Sequence, residues 1–278
     1  MSKLNRPKKG YVDTPNGQIH YSRFGDGPNP PLVMLHQTAS SEKMYHAVMP
    51  KLAYDGPIYA LDTPGFGGSY DLPEDVFPSM AEYAHMLEAA IDALGVNRFH
   101  LLGHHTGACI AVEIADHWPQ RVASVSLIGP VPLTEEERAG FAKHYRDPIR
   151  PRLDGSHLMT TWEYVLALGG PEETDERLIH RETVDMLRAW WGRFQTYSAV
   201  WDQDFTTPFQ RLQCPVLLMC APGDVLMPFF GRAQELKPDA QAVTLKGANL
   251  EPDQDPEGLA TALRSFIARI DADITERC

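Results

Sequence analysis

Cysteine is scarce in this sequence. Only four occur among 278 residues, at irregular spacing, and they are Cys109, Cys214, Cys220 and Cys278. A disulfide framework needs denser cysteines, and a zinc knuckle needs pairs separated by two residues. The sequence therefore predicts reduced thiols and excludes a small secreted scaffold held together by disulfides.

Long apolar runs and basic charge are also lacking. No apolar stretch approaches the roughly 20 residues of a membrane-spanning helix, and the opening MSKLNRPKKG contains no apolar core of a signal peptide. Lys and Arg number 25 against 37 Asp and Glu, which gives a formal net charge of −12. This charge repels phosphate backbones and anionic lipids. We therefore expect neither nucleic acid nor membrane as a partner, and a cytoplasmic location.

What is present is a regular alternation of short apolar runs with longer segments of helical spacing. This alternation is typical of parallel strands connected by helices, so the predicted class is α/β. Strands are predicted at residues 31–35, 58–61, 99–102, 122–128, 216–220 and 242–245, after an opening ribbon near 17–24. Helices are predicted at residues 44–52, 79–94, 107–117, 232–236 and 256–270.

The alternation stops between residues 133 and 208, where aromatic residues recur at helical spacing. We interpret residues 133–208 as a helical lid, or cap, inserted into a core formed by residues 1–132 and 209–278. Aromatic side chains often only pack a lid onto its core, but their density here favours a mostly apolar or aromatic ligand. The lid residues expected to contact that ligand are Trp162, Trp190, Trp191 and Tyr197.

The segment FHLLGHHTGACIA predicts a strand, a tight turn and a helix. Gly103 and Gly107 stand two residues before and two residues after His105. This is the context of a nucleophile elbow, in which a strained turn holds its central residue at the carboxyl end of the sheet. Glycines at the two flanking positions remove Cβ clashes between the strand and the helix. The central residue here is His105 and not serine.

Together with this turn, four other motifs resemble the α/β-hydrolase superfamily over nearly the whole chain. LVMLHQTASS is similar to its oxyanion loop, LDTPGFGGS to its Asp-x-Pro-Gly-x-Gly-x-Ser turn, PVLLMCAPGDVLMP to the strand that carries its acid, and GANLEPDQDPEGL to its final catalytic loop. The resemblance implies a mostly parallel, twisted sheet flanked by helices. It places Asp224 at the acid position and Asn249 where the family has its catalytic histidine.

These identities change the chemistry that the resemblance implies. Asn249 cannot take a proton from a nucleophile, so the ordinary Ser-His-Asp mechanism does not transfer. A neutral imidazole, with an ordinary pKa of about 6.5, is suited to nucleophilic attack or to general base catalysis. His105 is thus the candidate nucleophile or base, and Asp224 its orienting acid. Asn249 is either an accessory group that holds His105 by an amide hydrogen bond or simply a turn residue. The backbone N–H groups of Gln37 and Thr106 are expected to form the oxyanion hole.

Two neighbours of Gln37 complete the predicted site. His36 is expected to hold the backbone of the oxyanion loop, and Thr38 to offer a hydroxyl donor, so both are counted among the residues around the substrate. The adjacent histidines 104 and 105 suggest a metal, but successive side chains point in different directions, and no HxH or HExxH spacing nearby supplies the remaining ligands. We therefore expect no metal and no other cofactor.

The leading interpretation is cofactor-independent hydrolysis of a small, largely apolar ester, lactone or related carbonyl compound at the His105/Asp224 site. Two alternatives stay open. One is a cofactor-free lyase or isomerase that uses His105 as a base. The other is a ligand-binding or sensor protein whose catalytic activity has been lost. The substrate's identity and the oligomeric state, a homodimer included, are left open, since no heptad or disulfide pattern indicates an assembly.

Overall fold

A computed structural model describes residues 6–169 and 175–277, with side chains described to residue 272. Eight strands form a single sheet. They are β1 (Lys8–Thr14), β2 (Gly17–Phe24), β3 (Leu32–Leu35), β4 (Ile58–Leu61), β5 (Phe99–His104), β6 (Val122–Ile128), β7 (Val216–Cys220) and β8 (Gln241–Thr244). Their order across the sheet is β1-β2-β4-β3-β5-β6-β7-β8.

Helices connect the strands and cover both faces of the sheet. They are α1 (Met80–Ala93), α2 (Thr106–His117), α3 (Glu135–Tyr145), α4 (Ser156–Gly169), α5 (Glu176–Arg188), α6 (Trp190–Asp202), α7 (Thr206–Arg211), α8 (Met227–Leu236), α9 (Glu251–Gln254) and α10 (Pro256–Arg277). Helices α3 to α7 all lie between β6 and β7, in the stretch whose sequence lacks strand patterns. None of the helices in the described ranges is long and apolar enough to cross a membrane.

The sheet is mostly parallel, as predicted. Strands β3 to β8 run parallel to one another, while β1 pairs antiparallel with β2, and β2 pairs antiparallel with β4. The central strands are buried along their whole length, which explains their nearly continuous apolar runs. Strand β1 was not predicted because it lies at the sheet edge, mostly exposed, and has no apolar run.

Alternate side chains of the strands build two apolar layers. In β3, Val33 and Leu35 pack with helices α1 and α2 on one face. Leu32 and Met34 point to the other face, where they pack with helix α10. This two-sided burial fixes the sheet in the middle of the molecule and presents the carboxyl ends of its parallel strands at one edge.

The predicted helix at residues 44–52 is wrong. The structure has two short 3-10 helices there, Glu42–Tyr45 and Met49–Lys51. Pro50 has no backbone N–H, and its ring would clash with the carbonyl group four residues earlier in a continuous α-helix. The segment therefore breaks before the proline. The remaining predicted strands and helices are present, with shifts of a few residues at their ends.

Candidate active site

The turn between β5 and α2 holds His105 in a strained conformation. His105 has φ 48° and ψ −106°, in the region that favours glycine. A Cβ atom on Gly103 would lie 2.2 Å from the Gly107 carbonyl oxygen, and one on Gly107 would lie 2.1 Å from the Leu35 carbonyl oxygen. Only glycine fits at both positions, so the sharp turn predicted from their spacing is present.

His105 and Asp224 form a hydrogen-bonded pair. Nε2 of His105 lies 2.8 Å from Oδ2 of Asp224, which follows strand β7. The other carboxylate oxygen of Asp224 accepts a 2.7 Å hydrogen bond from the Leu226 N–H group. The Asp224 side chain is fully buried, whereas the His105 side chain is 15% exposed. The structure thus brings the predicted His105 and Asp224 together directly, with one edge of the imidazole still accessible.

This contact selects the tautomer of His105. A carboxylate accepts hydrogen bonds, so the neutral ring places its proton on Nε2. The lone pair then lies on Nδ1, the nitrogen that Asp224 does not contact. His105 can therefore accept a proton at Nδ1 while Asp224 stabilises the imidazolium that forms.

A glycine that the sequence interpretation missed makes room for this pair. Gly129 ends strand β6 with φ +55°, and a Cβ there would lie 2.2 Å from His105 Cδ2 and 3.0 Å from Asp224 Oδ2. An alanine would therefore overlap the imidazole ring. A glycine after a strand also occurs in ordinary turns, so its sequence position gave no specific signal.

A buried carboxyl group, Glu251, lies behind Asp224. Burial, followed by the adjacent Asp224 carboxylate, raises the pKa of Glu251 well above its ordinary value. Burial also raises the pKa of Asp224, but the attraction of His105 and the interaction with Glu251 outweigh it, so the pKa of Asp224 is lowered overall. Glu251 thus keeps its proton where exposed glutamates are ionised, and Asp224 carries the negative charge. Sequence reasoning missed Glu251, although it lies two residues after Asn249 in the final loop, because nothing in that motif shows which way its side chain points.

His104 points away from the cavity into the same buried region. Its Nε2 lies 3.1 Å from Glu251 Oε2, but the pair does not have hydrogen-bond geometry. Burial, followed by the charge of His105, lowers the pKa of His104 well below its ordinary value. His104 is therefore neutral. Ligand atoms of His104, His105 and Asp224 lie within 4.8 Å of one another, as do those of Cys220, Asp224 and Glu251, so either group could hold a metal ion. The expected lack of a metal stays a prediction.

Gln37 and Thr106 both border the cavity at His105. Thr106 begins helix α2, and the first N–H groups of a helix have no partner within it. The positive end of the helix dipole lies here as well, so this position suits a developing negative charge on oxygen. The side-chain amide of Gln37 donates to the Asn249 carbonyl oxygen at 2.8 Å. The Gln37 side chain therefore joins the oxyanion loop to the loop before α9.

The structure corrects the predicted role of Asn249. Its Oδ1 accepts from the Val225 N–H group at 3.1 Å, and its Nδ2 donates to the Leu168 carbonyl oxygen at 2.9 Å. Both groups of the amide are thus used by backbone, and the hydrogen bond to His105 that the sequence suggested is not made. Asn249 borders the cavity as a residue that ties α4 to the loop after β7.

Two of the other predicted substrate-binding residues border the cavity and four do not. Thr38 and Tyr197 line it, and the Tyr197 hydroxyl donates to the Thr38 carbonyl oxygen at 3.3 Å. His36, although predicted near the substrate, is buried beside the cavity, where its Nε2 accepts from the Thr63 N–H group. His36 therefore holds the loop backbone, as its other predicted role required.

The three tryptophans predicted to contact the ligand lie elsewhere. Trp162 packs against a separate apolar cluster of the helical segment. Trp190 and Trp191 border a surface groove, and the Trp191 indole donates to the Glu74 carbonyl oxygen at 3.2 Å. Trp190 is seven residues before Tyr197, so about 10 Å of helix separates it from the cavity.

The cavity at His105 has mostly apolar and aromatic walls. It contains about 520 Å³ of empty volume, including the part that is open to solvent. The lining side chains that the sequence interpretation did not single out are Val131, Phe141, Tyr145, Tyr164, Leu168, Val200, Trp201, Val225 and Leu226. Trp201 had a usable signal, because it follows Tyr197 by one helical turn on α6 and therefore shares its face.

This fold and turn define a class, and comparisons with known proteins agree with it. Residues 30–158 match the sequence model of a family described as the alpha/beta hydrolase fold. The thermophilic esterase from Thermogutta terrifontis superposes with a TM-score of 0.76 at 20% identity, over 95% of this chain and 99% of that one. Residues 30–158 therefore match this family in sequence, and the chain as a whole has the α/β-hydrolase fold.

Curated relatives include esterases and other hydrolases. The uncharacterized carboxylesterase nap of Bacillus subtilis (strain 168) is 30% identical over 125 residues, which are 45% of this chain and 41% of that protein. The proline iminopeptidase of Heyndrickxia coagulans is 23% identical over 242 residues, which are 79% of this chain and 84% of that protein. Because the chain spans less than half of the carboxylesterase, that similarity does not carry over the relative's whole activity.

Proposed function

We propose that this chain is a cofactor-independent hydrolase of a small, largely apolar ester, lactone or related carbonyl compound, with His105 as general base. The observation that carries the proposal is the 2.8 Å contact between His105 Nε2 and Asp224 at the edge of an apolar cavity. It leaves Nδ1 as the basic nitrogen. The esterases among the relatives support ester hydrolysis as the reaction class.

The reaction proceeds by addition of water. Nδ1 of His105 takes a proton from water while the water oxygen attacks the substrate carbonyl carbon. The resulting oxyanion accepts hydrogen bonds from the N–H groups of Gln37 and Thr106. When the tetrahedral intermediate collapses, the leaving alcohol receives the proton from the His105 imidazolium. Ester and water become acid and alcohol, and His105 returns to its starting state.

The direct test compares initial rates of the unmodified protein and His105→Ala on activated aryl esters and small lactones. We expect measurable turnover by the unmodified protein and a fall of at least about a hundredfold in His105→Ala, since general base catalysis contributes on the order of 10²- to 10⁴-fold. His85→Ala is the matched control, because His85 is an exposed histidine on α1. An unmodified protein as inert as His105→Ala would overturn the proposal.

A second experiment separates the base mechanism from nucleophilic attack by His105. An acyl-imidazole intermediate predicts a burst of aryl alcohol in the first turnover, whereas direct attack of water predicts none. Hydrolysis also places one oxygen of labelled water in the product acid. Turnover of a carbonyl substrate without that label would favour a lyase or isomerase, the second reaction class that a base at His105 supports.

A further inference from the structure

Three tyrosines gather on the helical side of the cavity. Tyr145, Tyr164 and Tyr197 all line it, and the ring centroid of Tyr145 lies 6.4 Å from that of each of the other two. Burial, followed by the neighbouring Tyr164 phenol, raises the pKa of Tyr197 well above its ordinary value. The Tyr197 phenol is therefore neutral, and tyrosine hydroxyl groups can donate hydrogen bonds to a ligand.

Two hydrogen-bond donors in this wall have no partner. The Tyr164 hydroxyl and the Trp201 indole N–H are both buried, and neither makes a hydrogen bond within the described residues. Both residues line the cavity. A buried donor without a partner is unfavourable, and tyrosine and tryptophan usually find an acceptor when they are buried. The wall therefore suits a ligand that brings an acceptor oxygen.

A positive charge lies directly behind these rings. Arg193 on α6 is 3% exposed, and its guanidinium carbon lies 5.1 Å from the Tyr164 ring centroid and 4.9 Å from that of Tyr197. It donates to the Asp147 carbonyl oxygen at 2.7 Å. Within residues 6–169 and 175–272, no carboxylate oxygen lies within 4.0 Å of Arg193. The charge is thus buried without a counter-ion, which makes the potential at this wall positive.

We propose that the wall formed by Tyr164, Tyr197 and Trp201, with Arg193 behind it, binds a carboxylate of the substrate. The carboxylate would accept hydrogen bonds from the free donors and supply the negative charge that Arg193 lacks. This inference refines the proposed function: the substrate is a small organic acid whose ester or lactone group lies at the opposite end, against His105. The apolar walls between these two ends fit a hydrocarbon or aromatic spacer.

Binding can be tested without turnover. We would measure the affinities of phenylacetate and of its neutral isostere phenylacetamide by calorimetry near neutral pH. The subsite predicts that the unmodified protein binds phenylacetate at least about tenfold more tightly, because charge-assisted hydrogen bonds are stronger than neutral ones. Equal affinities, including no detectable binding of either probe, would overturn the inference.

Substitutions test whether the preference for phenylacetate arises at this wall. Arg193→Met and Tyr164→Phe should each reduce the affinity ratio at least about threefold, since each removes one of the interactions that a carboxylate gains. Arg150→Met is the matched control, because Arg150 also lies over an aromatic ring, 4.9 Å from the Trp191 centroid, but is exposed and outside the cavity. If Arg193→Met does not fold, the affinity ratio of Tyr164→Phe tests the subsite by itself. A ratio unchanged in Tyr164→Phe would show that the carboxylate lies elsewhere.

The proposed ester hydrolysis and the proposed carboxylate subsite can be disproved independently of each other. His105→Ala should keep the preference for phenylacetate, because the proposed carboxylate contacts do not include His105. A protein that prefers phenylacetate but hydrolyses no ester would overturn the assigned reaction alone. A protein that hydrolyses esters in a His105-dependent way but shows no preference would overturn the carboxylate subsite alone.

Discussion

At the scale of single residues, the absence of a side chain at Gly129 leaves the space that the His105 ring occupies beside the strained turn. The ring of His105 fills the space in which a side chain at position 129 would begin. The imidazole can approach Asp224 because β6 ends in a residue without Cβ. A site with histidine at this turn therefore depends on a glycine that directly follows the neighbouring strand, β6.

Gly129→Ala should displace His105 and reduce ester hydrolysis by on the order of a hundredfold, because small misplacements of catalytic groups have effects of that size. The φ of +55° adds a backbone cost of about 1–2 kcal/mol in the free energy of unfolding. Initial rates and urea denaturation measure the two effects. Gly95→Ala is the control: Gly95 has φ +72°, but a Cβ there would meet no atom within 4 Å. Gly95→Ala should lower the free energy of unfolding and leave the rate of ester hydrolysis unchanged. Full activity of Gly129→Ala would show that His105 does not need the space at position 129.

Glu251 is expected to make the free energy of unfolding fall as the pH rises. In the unfolded chain a glutamate loses its proton near pH 4.3, whereas burial and Asp224 hold the folded-state pKa of Glu251 well above this. Folding therefore takes up a proton between the two values. The stabilisation from Glu251 is fully present below about pH 4.3 and is lost as the pH rises towards the folded value, by up to about 1.4 kcal/mol per pH unit.

Glu251→Gln removes this proton uptake while keeping a similar shape. We expect the free energy of unfolding of the unmodified protein to fall more steeply between about pH 5 and pH 8 than that of the variant. Glu135→Gln, at an exposed position on α3, is the control for the loss of one negative charge. Parallel curves for the unmodified protein and Glu251→Gln would show that Glu251 is ionised in the folded state. The depressed pKa of Asp224 acts below about pH 4 and does not disturb this window.

At the scale of elements, helix α5 is attached to the core by buried ion pairs. Arg181 contacts both carboxylate oxygens of Asp253, at 2.8 and 2.6 Å, and also contacts Glu182. Glu182 in turn accepts from the Ser40 hydroxyl at 2.9 Å. The side chain of Arg181 is 23% exposed, and those of its two partners are more buried. Removal of Arg181 would therefore leave two buried carboxylates without a cation.

Arg181→Met should lower the free energy of unfolding by about 3–5 kcal/mol, the usual effect of removing one partner of a buried ion pair. Arg188→Met on the same helix is the control, because its partner Asp71 is exposed and such surface pairs contribute less than about 1 kcal/mol. Urea denaturation measures both. Equal stabilities of the two variants would mean that α5 does not depend on this contact.

The positions of strands and helices could be predicted from the sequence, but the directions in which their side chains point could not. Strand ends such as those of β5 and β7 follow from apolar runs, and the turn at His105 follows from its two glycines. Helical spacing shows which aromatic residues share a face, but not which face meets the cavity, so Trp190 and Trp191 were assigned to the ligand and Trp201 was not. The predicted hydrogen bond from Asn249 to His105 was wrong for a related reason, because the backbone groups that bind the Asn249 amide belong to segments distant in sequence.

At the scale of the whole molecule, the order of the sheet assembles the site. Gln37, His105 and Asp224 follow β3, β5 and β7, and only β6 separates the last two strands. The carboxyl ends of parallel strands meet at one edge, which is why residues more than a hundred positions apart come within hydrogen-bond distance. The helices between β6 and β7 supply the aromatic wall opposite them. This much of the site could be predicted from strand order alone.

The proposed reaction requires that His105 carry its proton on Nε2, towards Asp224, and its lone pair on Nδ1, which Asp224 does not contact. Nitrogen-15 chemical shifts of labelled histidine, measured above about pH 8 where ordinary imidazoles are neutral and assigned with His105→Ala, report this tautomer directly. We expect a protonated Nε2 and an unprotonated Nδ1 for His105. A proton on Nδ1 would contradict the proposed mechanism, because the nitrogen that Asp224 does not contact would then have no lone pair to act as a base.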